Sequence, residues 1–157
     1  MIDNNKNNIL AIVSLVLLSF ALGTCEFIVI GVLTDIAESF KVSEVIAGGL
    51  VSMFALSYSI FTPFSAAIAG KFNRFNFIIF ASILFIIGNF LCSLAFDYNF
   101  LMIIRIFLAI ISGALISVSI SFTPYVASKE KRTMVVAWIY SGFSIASIFG
   151  VPIGTTI

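Results

Sequence analysis

The sequence predicts an all-α membrane protein of five transmembrane helices. Three observations predict it: an excess of apolar residues, five apolar runs of membrane length, and basic residues concentrated in alternate connections. Of 157 residues, 61% are hydrophobic and only 10% charged. A soluble domain carries roughly 45–50% apolar and about 25% charged residues. A domain of this size still exposes about a third of its unfolded surface, so one core could not hide the surplus. Lipid is the solvent that accepts it. Period-two alternation is absent, which argues against a β-barrel, whereas a helix satisfies its backbone groups within the segment.

The runs are Ile9–Gly31, Gly48–Ala69, Phe77–Phe96, Phe100–Val126 and Met134–Ile157. Each is near the ~20 residues that cross about 30 Å of hydrocarbon. The breaks Thr34–Glu44, Gly70–Asn76, Asp97–Asn99 and Ser128–Thr133 are short and polar. No soluble domain, repeat or low-complexity tract interrupts the series. A cleaved signal peptide is not expected, because the first run outlasts the usual h-region and further membrane segments follow. Leu22-Gly23-Thr24-Cys25 faintly resembles a lipoprotein cleavage box, but Thr24 is a poor residue before the cysteine.

Orientation follows from the lysines and arginines in the connections. With the N-terminus cytoplasmic, Lys6, Lys71, Arg74, Lys129, Lys131 and Arg132 lie inside and only Lys41 outside. The first, third and fifth helices then run outward. The last run is still apolar at Ile157, with no polar flank, and the expectation is a truncated reading frame or a fragment.

Composition also excludes. Net charge is +1 and histidine is absent, so nothing argues for nucleic acid as a partner. No Ser/His/Asp set and no metal-ligand spacing is possible or present, so neither an enzyme nor a metal or other cofactor is expected. Cys25 and Cys92 fall in apolar runs and read as small buried apolar residues.

Two charges lie well inside the runs, Glu26 and Arg105. Each costs about 2.5–3.5 kcal/mol there on insertion scales. Glu26 precedes Gly31 by five residues and Arg105 follows Phe100 by five. At ~1.5 Å per residue both come out roughly 7–8 Å below the outer boundary. Matching depth allows a contact or a shared aqueous cavity; the alternative is that each side chain snorkels separately to the interface. Ser112 and Ser119 share a helix face with Arg105, and Ser19 and Gly23 one with Glu26, which ordinary packing also explains. A carboxyl in such a cavity can take up and release protons as its surroundings alternate between wet and dry.

The fifth run carries Gly142, Ala146, Gly150 and Gly154 at four-residue spacing, with Pro152 between the last two. Small residues so spaced let another helix approach closely. Proline removes an N–H and bends the helix.

Gly142-x3-Ala146-x3-Gly150-Val-Pro152-Ile-Gly154-Thr resembles the fifth-helix motif of major facilitator antiporters. It is similar to that of bacterial sugar-efflux and purine-efflux carriers of the drug:proton antiporter branch. Gly23-Thr-Cys-Glu26 through Gly31-Val-Leu-Thr34-Asp-Ile-Ala37 resembles their first-helix pattern, and Arg105 with Gly113 resembles their fourth. Thr34 stands where the pattern has proline. The family's Gly-x-x-x-Asp-Arg-x-Gly-Arg-Arg loop, a cytoplasmic latch, corresponds to Ala66–Asn76, where Gly70 replaces the aspartate and Lys71 and Arg74 remain.

The resemblance implies that residues 1–157 form part of the N-terminal six-helix half of a twelve-helix carrier in the bacterial plasma membrane. Substrate would bind between the halves at mid-membrane. It implies proton-coupled efflux of a small molecule such as a drug, sugar or nucleoside, with the second half as the needed partner. Glu26 would carry the proton and Arg105 would modulate it or touch substrate. The alternative is a small membrane protein or gene remnant acting by helix–helix association.

Overall fold

The computed structural model describes residues 5–156; Ile157 and the side chain of Lys6, both named above, lie outside what is described. The described residues form helices and connections only. In order they are α1 (Asn5–Gly31), α2 (Leu33–Ser39), α3 (Glu44–Ala69), α4 (Arg74–Ser93), α5 (Tyr98–Ser121), α6 (Thr123–Val126) and α7 (Arg132–Thr156). Five of them, α1, α3, α4, α5 with α6, and α7, are long and apolar enough to cross a membrane.

Capping sets the ends, which is why helices and apolar runs do not coincide. Ser43 accepts from the Ile46 N–H at 3.3 Å, so α3 starts at Glu44 rather than Gly48. Asn73 accepts from the Phe75 N–H at 3.0 Å and opens α4 at Arg74 rather than Phe77. Asp97 accepts from the Asn99 N–H at 3.1 Å and opens α5 at Tyr98. Each cap supplies an acceptor to a first-turn donor that has none within the helix. Polar first turns therefore stay helical. At its far end α4 stops at Ser93, so Leu94–Phe96, expected as helix, lie in the connection. Part of the expected break Thr34–Glu44 is likewise helical, as α2, which ends at a turn where Lys41 takes φ 54°. Pro124 sits in the first turn of α6, where its missing N–H is harmless, and separates α6 from α5.

Packing is organised around two helix pairs, α1 with α7 and α3 with α5, and α4 lies along α5. Helix α5 is the most deeply buried of the spans. One core cluster joins Leu22, Phe54, Phe85, Ile104, Leu108 and Leu115 from α1, α3, α4 and α5. A second joins Leu15 of α1 to Val135 and Ile139 of α7. Outside these seams large apolar side chains are exposed, among them Phe80, Ile86 and Phe90 on α4. A soluble monomer rarely exposes so continuous an apolar surface, but a bilayer covers it. The bundle has a basic end, with Lys71, Arg74, Lys129 and Lys131, and an opposite end with Lys41, Glu44 and Asp97.

Candidate functional site

Arg105 is delivered to the interior because α5 buries the face that also carries Leu101, Ile104, Leu108 and Ser112. Only 3% of the residue is exposed. Its Nη1 donates to the Cys25 carbonyl of α1 at 3.1 Å. Its guanidinium carbon lies 4.6 Å from the centroid of the Phe54 ring on α3. Attraction between a cation and an aromatic face is worth ~0.5–2 kcal/mol, more where water is excluded. Three helices are thus tied by one side chain. Its Nε and Nη2 have no partner among the described residues.

Glu26 is half-buried on α1, one residue beyond the carbonyl that Arg105 holds. Successive helical residues point ~100° apart, so the backbone contact with Cys25 does not aim the Glu26 carboxylate at the guanidinium. No ion pair joins Glu26 and Arg105. The two charges act on each other through space only. Tyr58 of α3 is half-buried against the same core cluster as Cys25, and Tyr140 of α7 is exposed. Sequence reasoning passed over both tyrosines. Aromatic residues are frequent here and carry no spacing that separates them from lipid-facing ones.

The small-residue stripe of α7 meets α1 along its length. A methyl group built on Gly142 would stand 2.6 Å from the Val16 carbonyl oxygen, and one on Gly150 would stand 2.9 Å from the Phe27 Cβ. Ala146 faces Gly23, and Gly154 faces Gly31 and the Ile28 carbonyl. Pro152 lies inside α7 on an exposed position, and its carbonyl accepts from Thr155 Oγ1 at 2.9 Å. Around Arg105, Gly113 plays the same part between α5 and α3, facing Thr62.

At the basic end Lys71 is exposed. Arg74 does more. Its Nη1 reaches the Ser121 carbonyl at 3.4 Å, and its guanidinium carbon lies 5.0 Å over the Tyr125 ring. A cation at the C-terminal carbonyls of α5 is favourably placed in the helix field. Cys25 and Cys92 are both free and half-buried, packed against the main core cluster.

A family model described as Major Facilitator Superfamily matches residues 15–157. The chain belongs to that superfamily. As a facilitator chain it is a multi-pass membrane protein of a transporter family. It is 29% identical to YtbD of Bacillus subtilis (strain 168), an MFS-type transporter, over 157 residues, covering 100% of this chain and 40% of that protein. Against YbcL of the same organism, also an MFS-type transporter, identity is 31% over 143 residues, covering 91% of this chain and 37% of the relative. Against the inner membrane transport protein YdhP of Escherichia coli (strain K12) it is 33% over 137 residues, 87% of this chain and 35% of that one. This facilitator chain therefore spans well under half the length of the relatives it matches.

Proposed function

We propose that this chain works within a larger proton-coupled carrier that exports a small molecule, such as a drug, sugar or nucleoside, in exchange for inward protons. On this reading the basic end faces the cytoplasm of a bacterial cell, the N-terminus is cytoplasmic, and a second half completes the substrate cavity. Family membership supports transport. Coupling rests chiefly on one observation: Glu26 is a half-buried carboxyl on an apolar helix with no ion-pair partner among the described residues. Such a group is free to exchange its proton when access changes. Arg105, held by the Cys25 carbonyl and within electrostatic reach, biases that exchange without locking the acid in a salt bridge. The small-residue seam between α1 and α7 holds the acid-bearing helix in place, and Lys71 and Arg74 keep their loop inside.

The test uses the complete reading frame in inverted membrane vesicles carrying a proton gradient. Candidate substrates should dissipate the gradient, and Glu26→Gln should abolish that response. Coupling retained in Glu26→Gln would remove the acid from the mechanism.

A further inference from the structure

We infer that Arg74 anchors the headgroup of an anionic phospholipid at the basic end of the bundle. A cavity of ≈ 380 Å³ lies there, between the C-terminus of α3, the start of α4 and the junction of α5 with α6. Its lining includes Phe72, Asn73, Arg74 and Phe75 on one side and Phe122 and Tyr125 on the other. Ligand sites usually measure roughly 300–1,000 Å³. This one is near the lower end, which suits a headgroup whose acyl chains stay in the bilayer.

The guanidinium of Arg74 is held without being used up. Its Nη1 is engaged by the Ser121 carbonyl at 3.4 Å, and one face lies 5.0 Å over the Tyr125 ring. Those two contacts fix the plane of the group. Nε and Nη2 make no bond among the described residues and, unlike those of Arg105, neither is buried. Their N–H bonds run parallel along one edge, so a phosphate can accept both at once through two of its oxygens. Asn73 adds a donor. Its Oδ1 accepts from the Phe75 and Asn76 N–H groups at 3.0 and 3.5 Å, which leaves the amide nitrogen free to donate. Among the described residues no carboxylate lines the cavity, and Lys71 is exposed three residues before Arg74. The site therefore offers positive charge and donors to a phosphodiester, and no acid to pair with the ammonium of a zwitterionic lipid.

Aromatic neighbours point to a lipid rather than a free phosphate. Phe72, Phe75 and Tyr125 are all exposed, where the apolar spans give way to polar connections. Aromatic rings favour that level of a bilayer, and basic clusters beside membrane spans attract anionic lipids. A phosphate reaching Arg74 from the membrane keeps its glycerol and chains against these rings; one arriving from water leaves them uncovered. The inference rests neither on proton exchange nor on the direction of transport.

The experiment uses the carrier purified from the complete reading frame and stripped of lipid. Phosphatidylglycerol and phosphatidylcholine of equal chain length are titrated in, and bound lipid is counted by native mass spectrometry. Saturable binding of phosphatidylglycerol is expected, with phosphatidylcholine at least 5-fold weaker. Arg74→Gln should weaken phosphatidylglycerol binding about 5-fold, the effect of one cation at an anionic surface. Arg74→Lys keeps the charge but loses the fork, and should fall between. Lys129→Gln removes an exposed charge at the same end but outside the cavity, and should change binding less than 2-fold. Phe75→Cys gives a readout that leaves Arg74 intact and decides if Arg74→Gln does not fold. Phosphatidylglycerol should slow maleimide labelling of that thiol at least 3-fold, and excess inorganic phosphate should not. Equal binding of both lipids, undiminished binding in a folded Arg74→Gln, an equal loss in Lys129→Gln, or no protection of Phe75→Cys would each overturn the inference. Equal protection by inorganic phosphate would reveal an ion site without lipid and overturn it too. No readout involves transport, so the result leaves the role of Glu26 untouched.

Discussion

Gly150 of α7 stands against Phe27 of α1, so close that a methyl group on the glycine would lie 2.9 Å from the Phe27 Cβ. The two helices meet again at Gly23 with Ala146 and at Gly31 with Gly154. Repeated contact on one face of α1 fixes its rotation about its own axis. Glu26 immediately precedes Phe27 and is turned ~100° from it, towards the edge of the seam on the side of Gly23. The seam thus sets the rotation of α1 and, with it, where the acid points.

Gly150→Val should open that seam. Overpacking a close interface costs about 1–3 kcal/mol, and the atoms in the way here are a Cβ and backbone atoms, which cannot rotate aside. Unfolding in mixed detergent–SDS micelles should show a loss in that range. Gly142→Val should behave alike, because the Val16 carbonyl blocks it at 2.6 Å. Unchanged stability in both variants would mean that α1 and α7 are further apart than described.

Arg105 and Phe54 should be energetically coupled. The guanidinium lies 4.6 Å from the ring centroid, and a buried cation–aromatic contact is worth ~0.5–2 kcal/mol. A double-mutant cycle with Arg105→Lys and Phe54→Leu isolates that term, provided both variants fold. Arg105→Lys alone should lose stability despite keeping its charge, since an ammonium cannot present the same planar face or hold the Cys25 carbonyl in the same geometry. A coupling energy indistinguishable from zero would show that the ring is merely nearby.

Much of this architecture is legible in the sequence. Five long apolar runs leave few alternatives, and small residues every fourth position along α7 announced a close helix contact, though not with which neighbour. Helix ends were less legible, because Ser43, Asn73 and Asp97 extend helices beyond the apolar runs by capping polar first turns. The site was only half legible. Distance from a helix end gives depth, and it brought Glu26 and Arg105 to one level. It says nothing of rotation. Packing supplies that, placing Arg105 on the Cys25 carbonyl and leaving Glu26 aside. The gathering of Cys25, Asn89 and Cys92 around the guanidinium had no signal in spacing beyond Asn89 and Cys92 sharing a face of α4.

The proposed orientation has a direct check. Cysteines introduced singly at Lys41 and Asn99, both exposed, should react with an impermeant maleimide in intact cells. Cysteines at Phe72 and Glu130, exposed at the basic end, should react only after permeabilisation. Excess lysine and arginine in short loops holds those loops on the cytoplasmic side. The reverse labelling pattern would invert the topology and, with it, the direction in which Glu26 is reached by protons.

Two glycines on adjacent helices should respond oppositely to the same substitution. At Gly113 of α5, an added methyl group runs into the Thr62 side chain and its Cα on α3. Thr62 cannot swing clear without disturbing its own bond to the Tyr58 carbonyl. Gly113→Ala should therefore destabilise the α3–α5 pair by about 1–3 kcal/mol. At Gly48 nothing lies within 4 Å of the added carbon, and no described glycine needs a positive φ. There alanine only reduces the freedom of the unfolded chain, so Gly48→Ala should gain roughly 0.4–1 kcal/mol. Both values come from the same unfolding assay in mixed micelles. If Gly113→Ala proves as harmless as Gly48→Ala, the α3–α5 seam is looser than its geometry requires, and Arg105 loses the firm wall against which it is held.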